Sequence, residues 1–481
     1  MNKTTTPKGN FRWTICGLLF FATTINYLDR QVLSLTWSDF IAPEFHWTNN
    51  DYGNITALFS IFYAVSLLFA GRLVDVLDTK KGFLWAIGVW SFGACLHAFA
   101  GIATSGILTG NWLVGFEGAK NAIHTVNDTG MVISTSVTLF ILARFVLAVG
   151  EAGNFPAAIK TTAEYFPKKD RAFSTSIFNS GATVGALAAP ITIPFIAKAF
   201  GWEMSFIIIG ALGFIWMGFW VFLYDKPENH SKVSPEELAY IQQDVIADSK
   251  LAGYVAETAT KVSLKDCFRY KQTWAFAFGK FMTDGVWWFF LFWTPAYLSS
   301  VYEMDATEAA LPLFVLYMIT LLSIIGGWLP TYFVEKKGMN PYDGRMKAML
   351  IFAFFPLLAL IAQPLGHYTY WLPVIIIGIA GAAHQSWSAN IFTTVGDMFP
   401  KKAIATVTGI GGLAGGLGST LINKGSGVLF DYTKDTNMSF MGFEGIEAGY
   451  FIIFSICAVC YLIGWTVMKA LVPKYSPITD L

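Results

Sequence analysis

Charge is scarce in this chain. Only 13% of its 481 residues are Asp, Glu, Lys or Arg, about half the share of an average soluble protein. The 32 basic and 32 acidic residues balance, so nothing suggests a nucleic-acid partner or an acidic tail. Cysteine is equally sparse. Of five cysteines, Cys16, Cys95, Cys457 and Cys460 stand in apolar sequence, which offers no disulfide framework. Cys457 and Cys460 form a C-x-x-C with no His or carboxylate nearby, and read as small apolar positions rather than a redox or metal site. H-E-x-x-H, G-x-S-x-G and comparable His and carboxylate spacings are missing as well. No catalytic residue, metal ligand or cofactor is therefore expected, which argues against an enzyme.

What the chain has instead is apolar bulk. Hydrophobic residues make up 54% and aromatics 16%, with a mean hydropathy of +0.52. This is an all-α polytopic membrane protein. Spans of about 20 mostly apolar residues fall near 13–41, 52–75, 83–104, 136–159, 171–199, 204–224, 272–300, 308–334, 346–365, 369–395, 403–430 and 447–471. They are twelve transmembrane helices in two sets of six. The first bundle covers 1–224 and the second 272–481, joined by a polar linker at 225–271 that is read as carrying short surface helices.

Lysine and arginine are missing from 42–51 and 301–307 but crowd the alternate turns, as Arg72, Lys80 and Lys81, then Lys168, Lys169 and Arg171, then Lys336, Lys337, Arg345 and Lys347, then Lys401 and Lys402. By the positive-inside rule both termini are cytoplasmic. Lys3, Lys8 and Arg12 precede an apolar run in the manner of a signal peptide, but no small-residue cleavage site comes before Asp29 and Arg30, so the first helix is read as uncleaved.

The two bundles repeat one another. Gly71-Arg72-Leu73 and Asp75, with Lys80, Lys81 and Gly82, recur in weaker form at Gly326, Gly327 and Leu329, with Lys336, Lys337 and Gly338. Asp29 matches Asp284 at an offset of 255, and Tyr165-Phe166-Pro167-Lys168-Lys169 matches Met398-Phe399-Pro400-Lys401-Lys402 at an offset of 233. The offset shrinks because the first bundle carries an extra outer, polar excursion around 105–135, marked by Asn111, Asn127 and Asp128.

Five ionisable residues lie inside the apolar runs: Asp29, Arg30, Arg144, Glu151 and Asp284. A charge at that depth costs roughly 2.5–3.5 kcal/mol on insertion scales, so it lines a cavity, finds a partner, or both. At 1.5 Å per residue, Asp29, Arg144 and Glu151 lie roughly 16, 12 and 22 Å below the outer helix ends and share a central band. Arg144 and Glu151 are two turns apart and point the same way, with Asn154 one turn further. Asp29 and Arg30 are adjacent and cannot share a direction. One division sends Arg30 to the cavity and Asp29 toward the fourth helix, though the sequence leaves this open. Static ion pairing that only fixes packing stays open for both pairs.

G-R-L-V-D-V-L-D-T-K-K-G at 71–82 resembles the loop signature of the major facilitator superfamily. N-Y-L-D-R-Q at 26–31, A-R-F-V-L-A-V-G-E-A-G-N-F-P at 143–156 and K-F-M-T-D-G-V-W-W-F-F-L-F-W-T-P at 280–295 together resemble its anion:cation symporter family, and within it the hexuronate transporters. The resemblance covers the chain apart from 105–135. It implies the major facilitator fold of two six-helix halves around a central cavity, in a bacterial inner membrane, and proton-coupled uptake of a small organic anion such as glucuronate or galacturonate. Galactonate, glucarate or phosphate, sodium coupling, and a sensor on the same fold remain alternatives.

For that chemistry Arg30 is the candidate for the substrate carboxylate, since a guanidinium binds a carboxylate through paired charge-assisted bonds. Glu151 and Asp29 are the candidate proton sites, a role the resemblance also implies, with Arg144 as their charged neighbour. Asp284 is a further candidate proton site or structural partner. Tyr63 lies where the resemblance places a substrate-facing tyrosine, and Asn154, Lys280, Trp288, His384, Gln385, Ser388 and Asn390 are softer binding candidates. Trp287 and Trp288 are not expected both to face inward, and Trp288 is preferred. Lys280 stands near a helix start and could merely snorkel. Asp75, capping a helix and pairing with Arg171, is the candidate gate at the cytoplasmic end. Beyond substrate and bilayer no partner is expected, and the protein is read as a monomer.

Overall fold

A backbone with no water around it must satisfy its own hydrogen bonds, which in a single chain without a barrel means helices. The computed structural model describes residues 9–243, 263–479 and 481. Among these, extended structure is limited to the two-residue pairing of Ser439–Phe440 with Phe443–Glu444. Eight helices are long and apolar enough to cross a membrane: α2 (Asn49–Leu77), α4 (Thr129–Tyr165), α5 (Lys168–Phe200), α6 (Trp202–Leu223), α8 (Ala310–Lys337), α9 (Pro341–Gly366), α10 (Trp371–Met398) and α12 (Gly445–Leu471). A ninth, α3 (Thr79–Ala98), bends by 52° into Ala100–Thr109. Three more are long enough but too polar for that test: α1 (Phe11–Thr36, 26 residues), α7 (Lys271–Tyr302, 32) and α11 (Lys401–Asp435, 35). Their polarity has a reason. α1 carries Asp29 and Arg30, and α7 carries Lys280 and Asp284, all turned away from lipid.

Sequence punctuates these elements as expected of their caps. Thr48 and Asp51 form a capping box at the start of α2, Asp128 accepts from the Met131 amide at α4, and Asn340 accepts from Asp343 at α9, each satisfying amides that a helix start leaves free. α1 does not end at Thr36 but runs through a π-turn at Trp37–Ile41 into the short helix Ala42–Phe45. α4 breaks at Ala152 and Gly153, just past Glu151. The linker holds short helical turns at Pro227–Asn229, Pro235–Ile241 and Leu264–Cys267, while 244–262 lie outside the described residues.

In the first half α1 packs on α5, and α3 on α4 and α6; in the second α7 packs on α11 and α12, and α8 on α10. The halves meet chiefly through α2 against α11 and α5 against α8. Glycine makes the first of these seams close. A Cβ at Gly416 would stand 2.3 Å from that of Ala64, and one at Gly427 would stand 2.5 Å from the Asn49 carbonyl. Gly181 and Gly185 allow a similar approach of α5 to the Phe20 and Thr24 carbonyls of α1.

The excursion after α3 is helical. Ala100–Thr109 and Gly115–His124 pack on one another at the face opposite the termini. It covers an unusual acid. Glu44, in the short helix beyond α1, is 4% exposed and accepts a 2.8 Å bond from the Trp202 indole. Burial pushes its carboxyl up to about 7; Trp202 pulls down, Glu203 and Glu117 push up, and Lys120 pulls down. A carboxyl whose folded value exceeds its unfolded one stabilises the fold while protonated, and that stability is lost as pH rises through the folded value. Thermal unfolding of purified protein should therefore show Tm falling between pH 4.5 and pH 7, the ordinary and folded values of this group. Glu44→Gln should flatten that part of the profile, and an unchanged slope would remove Glu44 from it.

Candidate functional site

Two helices place the central charge. α1 turns Arg30 inward and α4 brings Glu151 to it: Arg30 Nη2 and Nε both donate to Glu151 Oε2, at 2.8 and 3.1 Å. The guanidinium is 4% exposed and lies 4.7 Å from the Tyr63 ring, 5.0 Å from Trp288 and 5.1 Å from Tyr27. Aromatic faces stabilise a cation without neutralising it. Arg30 thus has one carboxylate oxygen and three ring faces about it. It also lines a cavity of about 220 Å³.

The cavity's first-half wall is Tyr27, Arg30, Ser60 and Tyr63, and its second-half wall is Lys280, Asp284, Trp287, Trp288, His384, Gln385 and Ser388. Lys280 donates to Asp284 at 2.7 Å, one turn along α7, and its ammonium sits 4.1 Å from the Phe392 ring. Being 4% exposed, Lys280 does not snorkel. Trp288 faces Arg30, while Trp287 stacks on His384 at 5.4 Å, whose Nδ1 shares a 2.7 Å hydrogen bond with the Tyr461 hydroxyl. Both tryptophans therefore reach the cavity, contrary to the expectation that only one could. Adjacent helical residues diverge by about 100°, and a cavity as wide as α7 accepts both.

Other expected site residues stand elsewhere. Asn390 donates to the Gly326 and Ser386 carbonyls, at 2.9 and 2.8 Å, and ties α10 to α8. Asn154, fully buried, is not part of the lining. Arg144 does not pair with Glu151; its guanidinium lies 5.1 Å from the Phe59 ring. Behind Arg30 the atoms Asp29 Oδ1 and Oδ2, Arg144 Nη1, Glu151 Oε1 and both amide atoms of Asn26 and Asn154 are buried without a protein hydrogen bond. Polar groups left so are rare in folded proteins. Arg171 donates to the Phe166 and Ala163 carbonyls, at 2.9 and 2.8 Å, closing the end of α4 whose carbonyls lack helical partners. The Asp75 side chain lies outside the described residues.

Sequence reasoning overlooked a set of ties between the halves at the opposite end. At the face away from the termini, Asp431 of α11 accepts from the Asn49 and Asn50 amides at 2.9 and 2.7 Å, and Lys424 donates to Asn50 and Asn54. Tyr52 reaches the Phe292 carbonyl at 2.8 Å, and Asp39, in the π-turn, accepts from Ser299 and from the Ala306 amide. Lys198 pairs with Asp305 at 3.1 Å. The last tie repeats the first with its polarity exchanged: Lys198 and Asp431 are related by the offset of 233, and Asn50 and Asp305 by that of 255. These offsets were the signal that could have located the ties.

A profile of the Major Facilitator Superfamily matches residues 19–422. The chain belongs to that superfamily. A hexuronate transporter of Escherichia coli (strain K12) is 28% identical over 464 residues, covering 95% of this chain and 94% of that one. A galacturonate transporter of Dickeya chrysanthemi is 27% identical over 330 residues, covering 68% and 84%. Among solved structures, an inward-facing, unoccupied bacterial homologue of the human lysosomal transporter Spinster superposes with a TM-score of 0.67 at 17% identity, covering 99% of this chain and 100% of that one. It shows the same major facilitator fold.

In this major facilitator chain the Arg30 and Glu151 pair joins two helices and is almost fully buried. Removing one member strands a buried charge at a cost of about 3–5 kcal/mol, whereas replacing both with apolar groups of similar size is often neutral or better. Arg30→Met should accordingly lower Tm sharply in detergent, and the Arg30→Met, Glu151→Leu double variant should recover most of the loss. A double variant no more stable than the single one would mean that the pair is not what the interior depends on.

Proposed function

We propose that this protein takes up a sugar acid of the hexuronate class, such as glucuronate or galacturonate, by proton-driven alternating access. The observation that carries the reading is that one guanidinium both lines the cavity and holds a buried carboxylate. A substrate carboxylate arriving at Arg30 competes with Glu151 for the same N–H donors. As Arg30 turns to the substrate, Glu151 loses its counter-charge in a site where a bare carboxylate is too costly to keep. It then takes a proton, and anion and proton enter together. Asp29, buried beside it, is a second proton station, with Arg144 holding a positive charge near both.

The remaining lining suits a polyol. Tyr27, Tyr63, Ser60, Gln385 and Ser388 offer hydroxyls and amides, and the Trp287 and Trp288 faces can cover the apolar side of a sugar ring. The names of the relatives support a sugar acid. Lys280 on the far wall favours glucarate, with its second carboxylate, as the alternative to test. With the lysine-rich turns inside, the tied end faces outward in the bacterial inner membrane, and the cavity belongs to an inward-facing state. Import of one negative charge against a membrane negative inside costs about 2.3 kcal/mol per 100 mV. One accompanying proton cancels that and adds the pH gradient.

Proteoliposomes with an imposed pH gradient should accumulate radiolabelled glucuronate or galacturonate, and a protonophore should abolish the accumulation. Glu151→Gln should still exchange labelled for unlabelled substrate but bring the internal concentration no higher than the external one. Accumulation by this variant at the wild-type level would remove Glu151 from the coupling. Transport of glucarate alone would move the substrate to the diacids, and sodium-dependent uptake indifferent to protonophore would replace the coupling ion.

A further inference from the structure

At the face that carries the termini, outside the transport cavity, Arg269, Lys271 and Lys474 surround a groove of about 430 Å³ between the start of α7 and the chain that leaves α12. Its walls are fastened. Gln272 Nε2 donates to the Ser476 carbonyl at 2.9 Å, Tyr342 to the Val472 carbonyl at 2.7 Å, and the Ile478 amide to the Met398 carbonyl at 2.8 Å. The cations are poorly neutralised. Arg269 meets Asp266 only at 3.8 Å, with both side chains largely in solvent, and among the described residues neither Lys271 nor Lys474 forms an ion pair. Three cations converging on a fixed groove make an anion site.

What lies beside the groove decides which anion. Leu264, Phe268 and Trp274 are 49%, 40% and 53% exposed, and the Phe268 and Trp274 rings lie 5.5 Å apart. Trp274 is one turn above Lys271 on α7, and its indole donates to the Phe268 carbonyl at 2.9 Å. α7 starts at Lys271 and α12 ends at Leu471, which puts the cations at the ends of two long helices and Trp274 in the first turn of α7, and tryptophan favours the membrane–water interface. A free phosphate would use the cations and leave the apolar flank idle. An amphiphile uses both.

We propose that this groove seats the headgroup of an anionic phospholipid, its phosphate held by Arg269, Lys271 and Lys474 and its acyl chains lying along Phe268 and Trp274. Basic pockets at the ends of membrane helices hold such headgroups, and each lysine contributes a factor of about five in binding. The site is independent of the transported substrate.

Native mass spectrometry of the delipidated full chain, titrated with phosphatidylglycerol, tests it. Lys271→Gln with Lys474→Gln should weaken phosphatidylglycerol binding by roughly 25-fold and leave phosphatidylcholine binding unchanged. Phe268→Ser with Trp274→Ser keeps the cations, and should weaken phosphatidylglycerol while leaving inorganic phosphate unaffected. Wild-type retention of phosphatidylglycerol by the lysine variant would overturn the proposal. So would full displacement of the lipid by inorganic phosphate, which would assign the groove to a soluble anion.

Discussion

A guanidinium sealed among three aromatic rings can shed neither its charge nor its need for a counter-ion, and in this chain the counter-ion comes from another helix. Arg30 of α1 and Glu151 of α4 are both almost without solvent, in a setting where separating them strands a charge. α1 and α4 are thereby held in register at the depth of the cavity, and the residues packed about them follow. Tyr27 lies one turn before Arg30, so the two share a face. The break of α4 at Ala152 and Gly153 immediately follows Glu151. Any ligand that touches Arg30 therefore acts on the packing of a half, not on a side chain alone.

The second half has the same ingredients in a different arrangement. Lys280 and Asp284 are partners within α7, four residues apart, so their bond stabilises one helix and joins it to nothing else. Asp284 is the repeat counterpart of Asp29, yet it faces the cavity with a partner, while both Asp29 oxygens are buried without one. The two halves thus differ in what their charges join. The first carries charges that tie helices together, and the second supplies an aromatic and amide surface, with His384 fixed between Trp287 and Tyr461.

Much of this was legible in the residues. Apolar run lengths located the helices, and the offset of 255 exposed the duplication. Ionisable residues in those runs marked the site, because the membrane makes each of them costly. What could not be read was partner choice. Two turns of helix put Arg144 and Glu151 on one face, which made them the obvious pair, but Arg30 reaches Glu151 from a neighbouring helix whose rotation no periodicity specifies. Asn390 illustrates the same limit: a polar residue on α10 is equally suited to a ligand or to the Gly326 carbonyl, and only the approach of α8 decides. The ties at the other end were harder still, since in the sequence Asn49, Asn50 and Asp431 read as ordinary polar residues until the halves are brought together.

The placement of ion pairs also bears on how such a chain can move. At the depth of the cavity, Arg30 with Glu151 belongs wholly to the first half, and Lys280 with Asp284 wholly to the second. Among the described residues, ties across halves that use charge run through Asp39, Asp431, Lys424 and Lys198 at the face opposite the termini, where water can take over each bond as it breaks. What crosses between halves at cavity depth is soft: Arg30 over the Trp288 ring, Tyr63 beside that ring, and the glycine seam of α2 on α11. A rocking motion about that depth therefore need never expose an unpaired buried charge, which would cost several kcal/mol. The exchange of partners proposed above is confined in the same way to Arg30 and Glu151, both of the first half.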